Sequence, residues 1–256
     1  MTPVEGRDLY DDPRFHDGYR RLRATGAGIN EALEIPAMAR HLPAVQGASV
    51  VDLGCGTGAL ARRLADAGAA EVVAVDASRR MLANAEPHPR VRFIQADLES
   101  LSLPSGSADL VVSSMVLHYV ADYPALVRRI ADWLRPGGRL VFSQEHPICT
   151  AHRGMPGWLR TGEAEEGCHI GAGWVWPVDD YASEGPRTQH WILEGVGKHH
   201  RRTSTLIATL LGAGLDLTAI EEPTPDATAL HTRPELAEHL RRPPILLLAA
   251  RRREEP

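Results

Sequence analysis

Three glycines at alternate positions, Gly54, Gly56 and Gly58, stand two residues beyond a carboxylate, Asp52, and this is where the chain is best equipped for chemistry. A backbone without Cβ turns tightly and lets a ligand come close. The helix start at Ala59-Leu60-Ala61 aims its N–H groups at whatever sits on that turn. Gly54-Cys55-Gly56-Thr57-Gly58-Ala59 also fits the G-x-G-x-x-G/A pattern of dinucleotide sites. Asp52 separates the two ligand types: a carboxylate there repels a pyrophosphate and suits a cationic head, such as an amino group joined to a sulfonium. A second acid, Asp76, ends the next apolar run ~20 residues past the glycines, where a carboxylate can accept from both hydroxyls of a ribose.

Positioning these groups requires strands that end at one edge. Val50, Val51 and Leu53 read as a strand covered on both faces. A helix over 59–67 follows, stopped by Gly68. The pattern then alternates: a strand over 71–75, a helix capped by Ser78 and running to Glu86, a strand over 91–95, and a strand over 108–113. Asp122 caps a helix to Leu134, Arg135-Pro136-Gly137-Gly138 stops it, and a fifth strand covers 139–143. After residue 200 come a helix over 203–211, a strand over 215–220, a short helix from Thr232 through Arg241 and a last strand over 245–250. Strands alternating with helices predict an α/β fold with helices on both faces of the sheet.

The run Asp52-Leu53-Gly54-Cys55-Gly56-Thr57-Gly58 closely resembles the first motif of the class I S-adenosylmethionine-dependent methyltransferases. Ala96-Asp97-Leu98, Asp109 leading into the fourth strand, and Leu134-Arg135-Pro136-Gly137-Gly138-Arg139-Leu140 look like later motifs of that family in the same order. Asn30 to Ala37 looks like the lead-in of its bacterial small-molecule branch. The resemblance implies a Rossmann-like, doubly wound, seven-stranded sheet whose last strand is antiparallel. It implies S-adenosylmethionine as methyl donor and S-adenosylhomocysteine as product. It places the donor on Asp52, Gly54, Cys55 and Gly56, on Asp76 with Ala77, and on Ser113. It makes Asp97 the acceptor of the adenine amine, with the Leu98 N–H reading a ring nitrogen. Met81 is placed to pack on the adenine face.

The expected layout is one domain over 1–256, with an N-terminal helical lid over 1–45, a donor-binding core over 46–145, an inserted substrate cap over 146–200 and a C-terminal hairpin over 201–256. The cap carries four of the five tryptophans (Trp158, Trp174, Trp176 and Trp191) and six of the twelve histidines (His146, His152, His169, His190, His199 and His200). Tryptophan and histidine together suit a flat, partly polar organic acceptor. Tyr19, Tyr119, Trp174 and Trp191 are the candidate acceptor contacts. A neutral imidazole can serve as general base near pH 7, and His118 and His146, then His200, are the candidates. His118 and Tyr119 follow the fourth strand, beside the expected switch point of the sheet.

Composition narrows the class further. A net charge of −5 disfavours nucleic acid as a partner. No apolar run approaches the ~20 residues a membrane span needs, and the polar start of the chain lacks a signal-peptide core, so a cytoplasmic protein is expected. Cys55, Cys149 and Cys168 are scattered, and the histidines show no metal-ligand spacing, so neither disulfides nor a metal are expected. The reading is methyl transfer to an O or N atom of a small aromatic or heterocyclic molecule. Three alternatives stay open: a methyltransferase acting on tRNA or protein, a non-catalytic S-adenosylmethionine-binding module, and a nicotinamide oxidoreductase.

Overall fold

A computed structural model describes residues 6–24, 28–154, 157–160 and 173–254. Cys168 and His169 lie outside the described residues. The chain opens with α1 (Gly6–Leu9) and α2 (Pro13–Ala24), then a π-helical turn over Asn30–Glu34 that runs into α3 (Ile35–His41). The core follows as β1 (Ser49–Leu53), α4 (Ala59–Asp66), β2 (Glu71–Asp76), α5 (Arg79–Ala83), β3 (Val91–Gln95) and β4 (Ala108–Ser114). A 3-10 turn over Leu117–Tyr119 leads to α6 (Tyr123–Trp133), β5 (Leu134–Glu145) and α7 (Pro147–Thr150). Then come two hairpins: β6 (Leu159–Arg160) with β7 (Trp174–Val175), and β8 (Gly185–Trp191) with β9 (Leu193–His200). The chain closes with α8 (Thr203–Gly212), β10 (Leu215–Glu221), α9 (Ala227–Thr232), α10 (Glu238–Arg241) and β11 (Ile245–Arg252).

The main sheet has seven strands in the order β10-β11-β5-β4-β1-β2-β3. β11 is antiparallel to both its neighbours, while the pairs from β5 to β3 are parallel. The order reverses between β1 and β4, and the carboxyl ends there frame the crevice where open α/β sheets bind ligands. Side chains alternate across the sheet. Val51, Leu53, Val73, Val111 and Phe142 enter one core under α6 and α8. Val50, Val72, Val112 and Val141 enter the other with α3 and α4. Both halves of the apolar run in β1 are thus buried, which is why it reads as continuous rather than alternating.

Three elements differ from expectation by three residues or more. The helix after Ser78 ends at Ala83 rather than Glu86: the Asn84 side chain caps back on the Arg80 carbonyl, and Pro87 and Pro89 follow. The segment expected as one helix from Thr232 is split, because Pro234 drives Arg233 to extended backbone (φ −140°) and a 3-10 turn intervenes before α10. β5 begins at Leu134, so Pro136 to Gly138 lie within the strand, where the register against β4 shifts. Among the described residues no helix is long and apolar enough to cross a membrane.

Candidate active site

The crevice at the β1–β4 reversal opens into a cavity of about 1640 Å³. Its floor is the glycine turn. Gly54 has φ +74°, and a Cβ built there would lie 2.2 Å from the Val116 side chain, so only glycine fits. The Gly56 N–H donates to Asp76 Oδ2 at 2.8 Å and the Ser78 N–H to Asp76 Oδ1 at 2.8 Å. These bonds fix the Asp76 carboxylate at the end of β2 and leave each oxygen a lone pair for a further donor.

Asp52 sits at the back of the crevice, 1% exposed, and its Oδ2 has no hydrogen-bond partner. Burial pushes its carboxyl up to about 7, helped by the negative charges of Asp76 and Glu34. An orphaned buried carboxylate oxygen is costly and calls for a cationic or donor group from a ligand. Burial likewise pushes Asp76 up and Cys55 well above a reactive thiol. Ala77, Met81, Asp97 and Leu98 also line the cavity, so nine of the ten residues expected to hold the donor share one wall. The tenth, Ser113, does not line it: its hydroxyl donates to the Leu53 carbonyl at 2.9 Å, tying β4 to β1.

The rest of the lining comes from the N-terminal segment with α2, the turn after β4 and the β8–β9 hairpin. Tyr10, Tyr19 and Tyr119 are part of it. Tyr10 packs edge-on against Tyr19 at 5.3 Å and Tyr119 at 6.4 Å. Burial holds the Tyr10 and Tyr119 phenols protonated far above neutrality, so they act as hydrogen-bond donors, not bases. From β9 come Lys198 and His199, and Lys198 Nζ is paired with Glu145 Oε2 at 2.6 Å. Asp11 anchors the N-terminal segment, accepting from Ser78 Oγ at 2.6 Å and from the Arg80 N–H at 2.9 Å.

None of the three histidines expected as base lines the cavity. His118 is 3% exposed, and its Nδ1 accepts the Glu145 N–H at 3.3 Å. Burial pushes it well below the usual imidazole range. His146 caps α7, accepting the Ile148 N–H at 3.1 Å, and its Nε2 meets Glu222 at 2.8 Å. His200 bridges the Thr150 hydroxyl (2.8 Å) and the Tyr181 carbonyl (2.9 Å). Burial lowers both rings. All three rings are thus bonded into the framework rather than set on the cavity wall where a base among them was expected. Of the two tryptophans expected at the acceptor, Trp191 packs edge-on against Phe15 (5.1 Å) and Tyr19 (6.2 Å), behind the wall. Trp174 is 42% exposed on the β6–β7 hairpin, away from the cavity.

Sequence reasoning missed Glu34, Lys198 and His199 as cavity residues. His199 had a usable signal: on a strand it must face away from His200. Among the described residues no group of three or more His, Cys, Asp or Glu is placed to hold a metal ion.

Comparison with known proteins agrees with this geometry. The sequence profile of the family described as "Methyltransferase domain" matches residues 51–142. A crystal structure of an S-adenosylmethionine-dependent methyltransferase from Mesorhizobium loti is 40% identical, with a TM-score of 0.78 over 88% of this chain and 99% of that one. An uncharacterized protein of Haemophilus influenzae is 33% identical over 96% of this chain and 98% of its own length. A trans-aconitate 2-methyltransferase of Deinococcus radiodurans is 45% identical, but over only 36% of each chain. The chain belongs to the S-adenosylmethionine-dependent methyltransferases, with the Rossmann-like seven-stranded fold of that family and S-adenosylmethionine as its methyl donor.

Proposed function

We propose that the protein methylates an O or N atom of a small aromatic or heterocyclic organic molecule. The observation that carries this reading is the cavity, whose ≈1640 Å³ exceeds the ~300–1,000 Å³ usual for one drug-sized ligand. One half presents carboxylates for the donor, and the other is a tyrosine-lined wall closed over by α2 and the β8–β9 hairpin. S-adenosylmethionine supplies an activated methyl group, so the residues have to orient the acceptor and exclude water.

Asp52 would hold the donor's ammonium, Asp76 its ribose, and Asp97 with the Leu98 N–H its adenine. Tyr19 and Tyr119 would face the acceptor ring, with Trp191 behind them fixing Tyr19. The imidazoles on the cavity wall are His16 and His199. His199 shares β9 with Lys198 on the acceptor side, and we assign it the proton of the attacking atom where that atom carries one. A chain polymer such as tRNA fits this enclosed wall less well than a small molecule, and the net charge of −5 opposes it. A purely binding role would need no second, aromatic half.

The test is methyl transfer from isotope-labelled donor to a panel of phenols, carboxylic acids and N-heterocycles, read by mass spectrometry. Labelled product from small molecules, lost in a His199→Ala variant that still binds donor, supports the reading. Label found only in RNA or protein overturns it.

A further inference from the structure

Glu34 has no role in the account above, yet it is a cavity residue only 2% exposed. It ends the π-helical turn Asn30–Glu34, a rare geometry that often marks function. Its Oε1 accepts two hydroxyls, Ser114 Oγ and Ser143 Oγ, each at 2.6 Å, and its Oε2 accepts the Asn30 amide at 3.0 Å. Ser114 and Ser143 stand opposite each other at the carboxyl ends of β4 and β5. By strand alternation they point to the same face as Asp52 on β1, since Val50, Val112 and Val141 all enter the core on that side.

Charge is what remains unexplained. A buried carboxylate is normally paired. Glu34 is held by three neutral groups, and among the described residues no arginine or lysine forms an ion pair with it. Its neighbour Asp52 has an orphaned oxygen and feels the negative charge of Glu34. Two buried carboxylates, plus Asp76, therefore face one end of a cavity; among the described residues Arg63, whose positive charge Asp52 feels, forms no ion pair with any of the three, so the carboxylates outnumber it there. Three accepted bonds also leave Oε2 with one open lone pair.

We propose that Glu34 is a charge-reading residue of the donor site, paired with Asp52 so that the cavity favours the sulfonium donor over its neutral thioether product. The donor carries two positive charges and one negative, whereas the product has lost the sulfonium charge. Asp52 suits the ammonium, and Glu34, on the β4–β5 side of it, supplies field for the second positive charge. At cavity distances and an effective dielectric of about 20, one carboxylate changes a cation's affinity by about tenfold or more. The assignment concerns the donor alone and does not depend on which acceptor is used.

The test is Glu34→Gln, which keeps an oxygen for the two serines and removes the charge. Calorimetry measures its affinity for three ligands: S-adenosylmethionine, S-adenosylhomocysteine, and the donor analogue in which a protonated amine on carbon replaces the methylsulfonium. About tenfold weaker binding of the two charged ligands, with the thioether changed by no more than about twofold, is the expected result. Equal weakening of all three overturns the proposal. So does unchanged binding with a lower melting temperature, which would make Glu34 only an anchor for α3. Should the variant fail to fold, the wild-type chain still decides. The donor-to-product affinity ratio must fall as pH drops from 8 to 5.5, because the Asp52 carboxyl, pushed up to about 7 by its burial, takes up a proton and its charge leaves this end; Glu34, Asp76, the Cys55 thiol and Arg63 are the other groups facing it. A ratio flat in pH overturns the proposal.

Discussion

Replacing Asp52 by asparagine removes a charge that costs the empty protein stability and that the proposed function assigns to the donor's ammonium. The carboxyl is 1% exposed and is raised from 3.8 to about 7, mainly by burial and then by the charges of Asp76 and Glu34. A displacement of that size corresponds to roughly 4 kcal/mol. The folded chain holds the extra proton between pH ~4 and ~7, so the empty protein keeps its full stability below pH ~4 and loses this amount as pH rises through about 7. Asp52→Asn should therefore raise the melting temperature of the empty protein at pH 8 by ~8–16 °C, given ~2–4 °C per kcal/mol for a chain of this size. The same change should weaken donor binding ~10–100-fold, the worth of one hydrogen bond to a charged group. Wild-type binding near pH 6.5 should release protons, because a bound cation draws the carboxyl down; the variant should release fewer. Scanning calorimetry and titration calorimetry in buffers of different ionisation enthalpy measure all three quantities. A variant that binds donor within about twofold of wild type at pH 8, or that melts no higher than wild type when empty, would refute the electrostatic reasoning.

Gly54→Ala adds a Cβ 2.2 Å from Val116 at a φ of +74°, so it should cost ~2 kcal/mol or more and displace the glycine turn, seen as a lower melting temperature and loss of donor binding. His118→Ala, His146→Ala and His200→Ala should each cost ~1–3 kcal/mol in denaturant melts by stranding the groups they bond, while turnover per folded molecule stays within a few-fold of wild type. A 100-fold loss of turnover with unchanged stability would restore the base role. Lys198→Met leaves the partly exposed Glu145 without its partner and should destabilise by ~1.5–3 kcal/mol, with Lys198→Arg recovering part of it in thermal melts. Trp174→Ala, on the exposed hairpin, should leave the acceptor KM unchanged, whereas Trp191→Ala should raise it by loosening Tyr19.

The part of the cavity proposed to take the donor was legible in the sequence because its residues are local. Asp52 and the three glycines are contiguous, and the chain there has one conformation that spares Val116 and frees the Gly56 N–H for Asp76. Asp76 ends a strand and Asp97 follows one by two residues, so the parallel sheet carries them to the same edge without further information. The part proposed to take the acceptor is assembled from α2, the turn after β4, and β9, with α2 and β9 separated by more than half the chain and joined only by tertiary packing. Residue type alone misleads there. His200 and His199 are adjacent and chemically identical, but the strand's two-residue period sends one to Thr150 and the other to the cavity. Trp174 and Trp191 differ only in which hairpin carries them. Glu34 fails for the opposite reason: an acid on an amphipathic helix is scored as solvent-facing, and nothing local reveals that Ser114 and Ser143, 80 and 109 residues away, have their hydroxyls turned toward it. Side chains that meet only after the sheet has closed leave no spacing to read, so the tyrosine-lined side of the cavity is where sequence reasoning has least purchase.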